Sequence, residues 1–267
     1  MRDEKDFDIK GMFEDTMNFR ELGGYPAADG KRVKHNIFYR SGMLGCLNSQ
    51  EERKKLEALG LRVILDFRSR GEAEAVPDPA FPGTSYYNIC ALYRGDGKEL
   101  EFSPVDIQKM FQSSEIVKAG AEEMMEVMYG RMAFDNPGFR KLFQEVEQGN
   151  VPILFHCSAG KDRTGVAAML LLLALGTDEK TAIEDYELTN LYRRKAVEER
   201  IRAHADEVEK VPELRHVFQT MEGVDKRAAE LVLERIREKY GSFERYFEAE
   251  YGLTEGKLAD LRENYLE

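Results

Sequence analysis

Val166 to Leu175 is apolar at every position. A helix that is apolar all round has no face for water and must lie inside a domain. The run is about half the roughly 20 residues that crossing a bilayer requires, which leaves a protein core as its place. Immediately before it come a short apolar strand, Pro152 to Phe155, and the polar segment His156-Cys157-Ser158-Ala159-Gly160-Lys161-Asp162-Arg163-Thr164-Gly165. Strand, tight loop and buried helix in that order place the loop at a sheet edge, over the N-terminus of a central helix beginning near Thr164. Gly176 is suited to stop this helix and Thr177-Asp178 to cap the next.

The loop has the makings of a cup for a tetrahedral anion. Ser158, Ala159 and Gly160 are small enough for the backbone to curl with successive N–H groups turned inward, a nest for phosphate oxygens. The helix that follows adds the positive end of its dipole and its unpaired N–H groups. Arg163 offers a planar fork that can hold two oxygens, and Lys161 a point-like positive charge at the rim. Cys157 lies at the base. A free thiol has a pKa of about 8.5, but at a helix N-terminus beside fixed positive charge it can fall to roughly 3.5–7.5. A fall of about 3 units favours the thiolate by roughly 4 kcal/mol. These residues point to attack of a thiolate on a phosphate ester.

Other readings of the loop fit less well. A cysteine ending a buried strand is commonly a small hydrophobe, but the residues after Cys157 are too polar and too dependent on glycine for plain packing. A nucleotide-binding P-loop needs Ser or Thr after its lysine; Asp162 stands there, and Phe155 stands where the first glycine belongs. A redox pair needs a second cysteine nearby, and Cys46 and Cys90 are distant in sequence. A phosphate-binding module without turnover is the alternative class to an enzyme that hydrolyses phosphate esters.

The rest of the chain alternates. Ile37 to Tyr39, Arg62 to Asp66 and Ser85 to Ile89 read as strands. A helix capped by Asn48 or Ser49 runs to about Leu59. Val105 to Lys118 and Ala121 to Phe134 read as amphipathic helices, Asn136-Pro137 starts another, and everything after Thr177 reads as helical. The expected class is α/β, a largely parallel central sheet flanked by helices. With no linker, repeat or low-complexity tract, residues 1–267 read as one domain with a helical C-terminal layer over 196–267. Parallel strands present their C-terminal ends at one edge, where ligands bind; Asp66, Arg68 and Cys157 are therefore expected as neighbours.

The formal net charge of −11 argues against nucleic acid or an anionic membrane as a general partner. An acidic protein that binds a dianion must concentrate its cations, and Lys161 and Arg163 do so, with Arg20, Arg40, Arg68 and Arg70 as further candidates. Three widely spaced cysteines suit a reducing compartment, and the charged start Met1-Arg2-Asp3-Glu4-Lys5-Asp6 has no apolar signal-like stretch. The expectation is a cytoplasmic protein without a transmembrane segment. Four scattered histidines, at 35, 156, 204 and 216, make no histidine metal site; neither metal nor cofactor is expected.

His156 to Gly165 resembles the signature H-C-x5-R-[ST] of the cysteine-based protein tyrosine phosphatase superfamily. With Lys161-Asp162 inside the loop it is most similar to the bacterial tyrosine and phosphoinositide phosphatases. Asn18 to Tyr25, Tyr39-Arg40-Ser41-Gly42, Val63 to Ser69 and Asp185 to Asn190 resemble further blocks of that group, in the right order. The resemblance implies Cys157 as nucleophile, with Ser158, Ala159, Gly160, Lys161, Asp162 and Arg163 around the phosphate. It implies phosphotyrosine protein or phosphoinositide as substrate, and phosphate or sulfate as an ion the loop accepts. Relatives of this kind are sometimes exported.

The chemistry needs a carboxyl group to protonate the leaving oxygen and then to activate water. The resemblance favours Asp162. Asp135 is the upstream candidate, although Asp-Asn-Pro is also an ordinary helix start. Asp66 reads first as support, pairing with Arg163 or a nearby arginine. His156 is expected to hold the loop and tune the thiolate. Thr164 is expected to donate to the thiolate or departing phosphate, or to cap the helix. Residues 102–132 contain Met110, Phe111, Met124, Met125, Met128, Tyr129 and Met132, a stripe that suits a core face. Helices at this place cover the active site as a lid in relatives.

Overall fold

The computed structural model describes residues 18–47, 49–93, 128–212 and 214–267, together with Phe13, Gly97, Glu99, Met125 and Glu126. Five strands make one sheet: β1 (Arg20–Glu21), β2 (Phe38–Ser41), β3 (Val63–Asp66), β4 (Ser85–Asn88) and β5 (Ile153–His156), in the order β1-β2-β5-β3-β4. β1 is antiparallel to β2, and every other pairing is parallel. The sheet has helices on both faces, as the alternating pattern requires. The central strand is all buried, which is why it reads as an unbroken apolar run. Its last residue, His156, lies opposite Ser41 of β2 and Asp66 of β3. Three strands thus end level, and the loop after His156 leaves from the middle of that edge.

Side chains alternate across the sheet as the pleat demands. Phe38, Val63, Leu65, Ile153 and Phe155 join the larger core, which contains the apolar helix. Tyr39, Ile64 and Leu154 face a smaller one with Phe13, Phe19, Leu44, Leu47, Leu56 and Leu61. The helices are α1 (Gln50–Glu57), α2 (Arg70–Ala75), α3 (Pro137–Glu147), α4 (Arg163–Ala174), α5 (Glu179–Tyr192), α6 (Arg194–Ala203), α7 (Ala205–Lys210), α8 (Leu214–Glu222), α9 (Lys226–Tyr240), α10 (Phe243–Tyr251) and α11 (Glu255–Tyr265). Every residue of α4 is buried. Each leucine hidden there contributes about 1.5–3 kcal/mol, so the helix is a rigid mount. Its sequence caps behave as expected: Gly176 has φ +85°, and the Asp178 side chain accepts from the Thr181 N–H to open α5.

Two elements were not expected. β1 is two residues long and α2 only six, too short for a periodic pattern. α2 is nonetheless closed by a full capping box between Ser69 and Glu72. The C-terminal helices also divide. α6 buries nothing, whereas α9 buries Ala228, Ala229, Leu231, Val232, Leu233 and Ile236. Tyr265 packs edge-on against Phe38 at 5.1 Å, and Glu267 exchanges backbone hydrogen bonds with Arg32. From α9 onward the chain closes the core.

Most of the lid stretch 102–132, including the helix expected over Val105 to Lys118, lies outside the described residues. Within its end, Tyr129 and Met132 are buried in the larger core. Residues 130–134 are turns rather than helix. Among the described residues no helix is long and apolar enough to cross a membrane.

Candidate active site

The loop between β5 and α4 is shaped by what holds its carbonyls. Ser158 C=O accepts from Met43 N–H at 3.1 Å. Ala159 C=O faces Asn18 Nδ2 and Arg193 Nη1, each at 3.4 Å. Gly160 C=O accepts from Asn18 Nδ2 and Arg40 Nη2, both at 2.8 Å. In a planar trans peptide the N–H points opposite the C=O. Three carbonyls pinned outward therefore turn the N–H groups of Ala159, Gly160 and Lys161 toward the loop's interior. Gly160 is obligatory here. Its φ is +67°, and a Cβ would stand 2.4 Å from the Ser41 carbonyl oxygen.

Cys157 directly follows the central strand and is buried. Its neighbour His156 belongs to an ionic cluster under the loop. His156 Nε2 lies 3.0 Å from Asp78 Oδ2, and Nδ1 lies 3.3 Å from the Cys157 carbonyl. Arg68 donates to both Asp66 oxygens and, at 2.8 Å, to Asp78 Oδ2. Asp66 thus pairs with Arg68, not with Arg163. Asp66, Asp78 and His156 could be grouped as metal ligands, but the Arg68 guanidinium already sits between the two carboxylates.

Arg163 begins α4 and is gripped by Glu72, the site residue that sequence reasoning missed. Nη1 donates to Glu72 Oε2 at 2.6 Å and Nη2 to Oε1 at 2.9 Å. Ser158 Oγ donates to the same Oε1 at 2.6 Å. Burial works against the Glu72 carboxylate, yet the Arg163 hydrogen bonds outweigh it and pull its pKa down to about 2. Burial likewise opposes the Arg163 charge; Glu72 and the Cys157 charge outweigh it and raise that pKa above its ordinary value. The visible signal was Ser69-x-x-Glu72, a helix-start pattern directly after the third strand.

The second half of the loop departs from expectation. The Lys161 ammonium does not stand at the rim as a free charge. It donates to Met221 O at 2.7 Å and Gly223 O at 3.1 Å, at the C-terminal end of α8. Carbonyls there carry the negative end of the helix dipole and draw a cation. Asp162 occupies the N-cap position of α4 in helical conformation, and its side chain caps nothing. Its Oδ1 instead accepts from the Tyr129 hydroxyl. The Thr164 hydroxyl is buried with no hydrogen-bond partner among the described residues, so it does not cap the helix either.

The other candidates lie apart from this arrangement. Asp135 is exposed, has φ +47°, and gives its backbone N–H to Glu250 Oε2 at 2.7 Å; its neighbour Asn136 caps α3. Arg20 and Arg40 are buried on Asp185 at 3.0 and 2.5 Å. Burial, then the Arg20 charge, lower the Arg40 pKa to about 10. Arg68 is neutralised as described, and Arg70 pairs with Glu74 at the surface. All four guanidiniums are held by carboxylates outside the loop, whereas Arg163 is held by Glu72 beside Ser158 of the loop itself. A cleft of about 620 Å³ lies elsewhere, between α2 and β4, lined by Ala73, Phe81 and Tyr86 and by no loop residue.

Such a loop, with the Cys157 sulfur at its start, can hold a tetrahedral oxyanion on inward N–H groups and a fixed guanidinium. The comparisons with known proteins agree with that chemistry. A Cupriavidus necator protein described as a candidate tyrosine-protein phosphatase is 35% identical over 178 residues, covering 67% of this chain and 62% of the relative. A tyrosine-protein phosphatase of Nostoc commune is 29% identical, over 62% of this chain and 53% of that one. The triple specificity protein phosphatase PtpB of Mycobacterium tuberculosis is 28% identical, over 65% and 66%. The chain spans less than two thirds of the length of each of these relatives. The model of the tyrosine phosphatase family matches residues 12–267. The chain belongs to the tyrosine phosphatase family.

Proposed function

We propose that this chain hydrolyses phosphate monoesters, foremost phosphotyrosine on proteins, through a phosphocysteine on Cys157. The observation that supports this most is the pinning of three loop carbonyls outward directly after a buried cysteine, with Arg163 held in plane by Glu72. Electrostatic stabilisation by groups fixed in advance is the largest catalytic term in many enzymes, because nothing reorganises during the reaction.

In the first step the Cys157 thiolate attacks phosphorus, the S–P bond forms and the P–O ester bond breaks. The ester's electron pair leaves with its oxygen, which takes a proton from Asp162. In the second step water attacks phosphorus, gives a proton back to Asp162, and the S–P bond breaks to release phosphate and thiolate. The buried Thr164 hydroxyl, without a hydrogen-bond partner among the described residues, is suited to donate to the departing group. Asp162 rather than Asp135 is the acid in this reading, because Asp162 belongs to the loop and does no capping work.

Phosphoinositide hydrolysis is the second reading, and Lys161 was its motive. With its ammonium held by the Met221 and Gly223 carbonyls, Lys161 gives that alternative less support than a free rim charge would. The sparse, unpaired cysteines favour a reducing, cytoplasmic setting.

A substrate panel tests the reading. Phosphotyrosine peptide is expected to be turned over faster than phosphoserine peptide or a soluble inositol phospholipid, with activity retained in chelator. Cys157→Ser is expected to bind phosphotyrosine peptide without turnover. Full activity in Cys157→Ser would reject the nucleophile, and preference for the inositol phospholipid would move the assignment to the second reading.

A further inference from the structure

We infer that Tyr129 is a positioning residue for Asp162, its hydroxyl holding the loop carboxyl where it can serve the leaving oxygen, with Tyr186 holding Tyr129 in turn. The inference deepens the proposed function and rests on Asp162 as the acid.

Four observations carry it. Asp162 sits at a helix start, where a carboxylate ordinarily accepts from the helix N–H groups, yet it makes no such bond. Its Oδ1 accepts from Tyr129 instead. Tyr129 is itself part of the larger core, so its ring cannot swing away without opening a cavity. Tyr186, fully buried on α5, donates its hydroxyl to the Tyr129 hydroxyl at 3.3 Å. The chain of donors runs one way, from Tyr186 to Tyr129 to Asp162. Burial, reinforced by the Asp162 charge, raises the pKa of both phenols, which keeps them protonated as donors.

The consequence is a choice of oxygen. With Oδ1 occupied as an acceptor, the proton of a neutral Asp162 resides on Oδ2. That proton passes to the ester oxygen as the P–O bond breaks, and the carboxylate left behind is stabilised by the Tyr129 hydrogen bond. Lys161 Nζ lies 3.7 Å from Asp162 Oδ2, and Arg40 and Asp225 face Tyr186. Lys161 is itself tied to α8.

Tyr129→Phe removes the hydroxyl and keeps the ring. It is expected to lower kcat about tenfold on an aryl phosphate with a poor leaving group, the equivalent of one hydrogen bond to a charged group. KM, and kcat on an activated aryl phosphate, should change little. Asp162→Asn should show the same leaving-group pattern more strongly, and adding Tyr129→Phe to it should cost nothing further. If Asp162→Asn slows both esters equally, the acid assignment fails and the inference with it. If Asp162→Asn shows the pattern while Tyr129→Phe matches the parent in kcat on both esters, the inference alone falls. Tyr186→Phe reads the same pattern in smaller degree without touching the Asp162 partner, and serves if Tyr129→Phe does not fold. A parental profile in Tyr186→Phe would then overturn the inference.

Discussion

Two guanidinium–carboxylate clusters meet the loop from different sides, and they do different work. Beneath Gly160, Asp185 binds Arg20 at 3.0 Å and Arg40 at 2.5 Å, with Arg40 and Asp185 wholly hidden from water. Tyr25 adds a third donor to Asp185 at 2.8 Å. Beside Ser158, Glu72 binds Arg163 at 2.6 Å, but here the side chains are 21% and 8% exposed. The bond lengths are alike; the surroundings are not. The Asp185 cluster is sealed and touches the loop only through a backbone carbonyl, so it sets shape. The Glu72 cluster opens onto the loop, so it sets the direction of a charge that a ligand can meet.

Breaking the sealed cluster should have the largest effect on stability. Asp185→Ala leaves two buried guanidiniums without their counter-charge, a loss of about 3–5 kcal/mol. Denaturant unfolding would measure it, and a loss under about 1 kcal/mol would show that the cluster is wetter than the structure implies.

Glu72→Gln should act the other way, on turnover more than on stability. The amide oxygen can accept at one position, but the NH2 cannot accept at the other and the charge is gone, so kcat/KM should fall about tenfold. The acid dependence of stability sharpens the point. The Glu72 pKa is depressed on folding to about 2. Its contribution is therefore complete above the ordinary carboxylate pKa of about 4.3 and is lost as pH falls from there toward 2. Glu72→Gln should remove that part of the acid-unfolding slope. An unchanged slope would assign it to other carboxylates.

The smallest effect belongs to a pair that touches neither cluster. Arg227 and Glu234 meet at 2.7 Å with about half of each side chain exposed. Arg227→Ala should change stability by under about 1 kcal/mol and leave turnover unchanged. A larger loss would mean that bond length, rather than burial, governs these pairs.

The contrast also explains what could be read in the chain beforehand. The cup was legible because its parts are contiguous: Pro152 to Leu175 carries strand, loop and buried helix in one stretch. The parallel sheet was legible because each long strand is an apolar run between turn residues. Glu72 was not, because its partner Arg163 is distant in sequence and α2 is too short for periodicity. The Lys161 ammonium looked free because the carbonyls that hold it come from Met221 and Gly223, far down the chain. Arg20 and Arg40 looked like phosphate ligands until Asp185 was seen between them. Charges are easy to count in a sequence, but which of them are already spent depends on contacts between distant elements.

The central claim is that a sulfur atom in this loop takes the phosphoryl group. Acid-quenched turnover of an aryl phosphate, followed by mass analysis of the peptide containing Cys157, tests it most directly. A single phosphoryl group on Cys157 in the parent protein, absent from Cys157→Ser, is the expected result. Full turnover in Cys157→Ser, or phosphate carried on another residue, would contradict it.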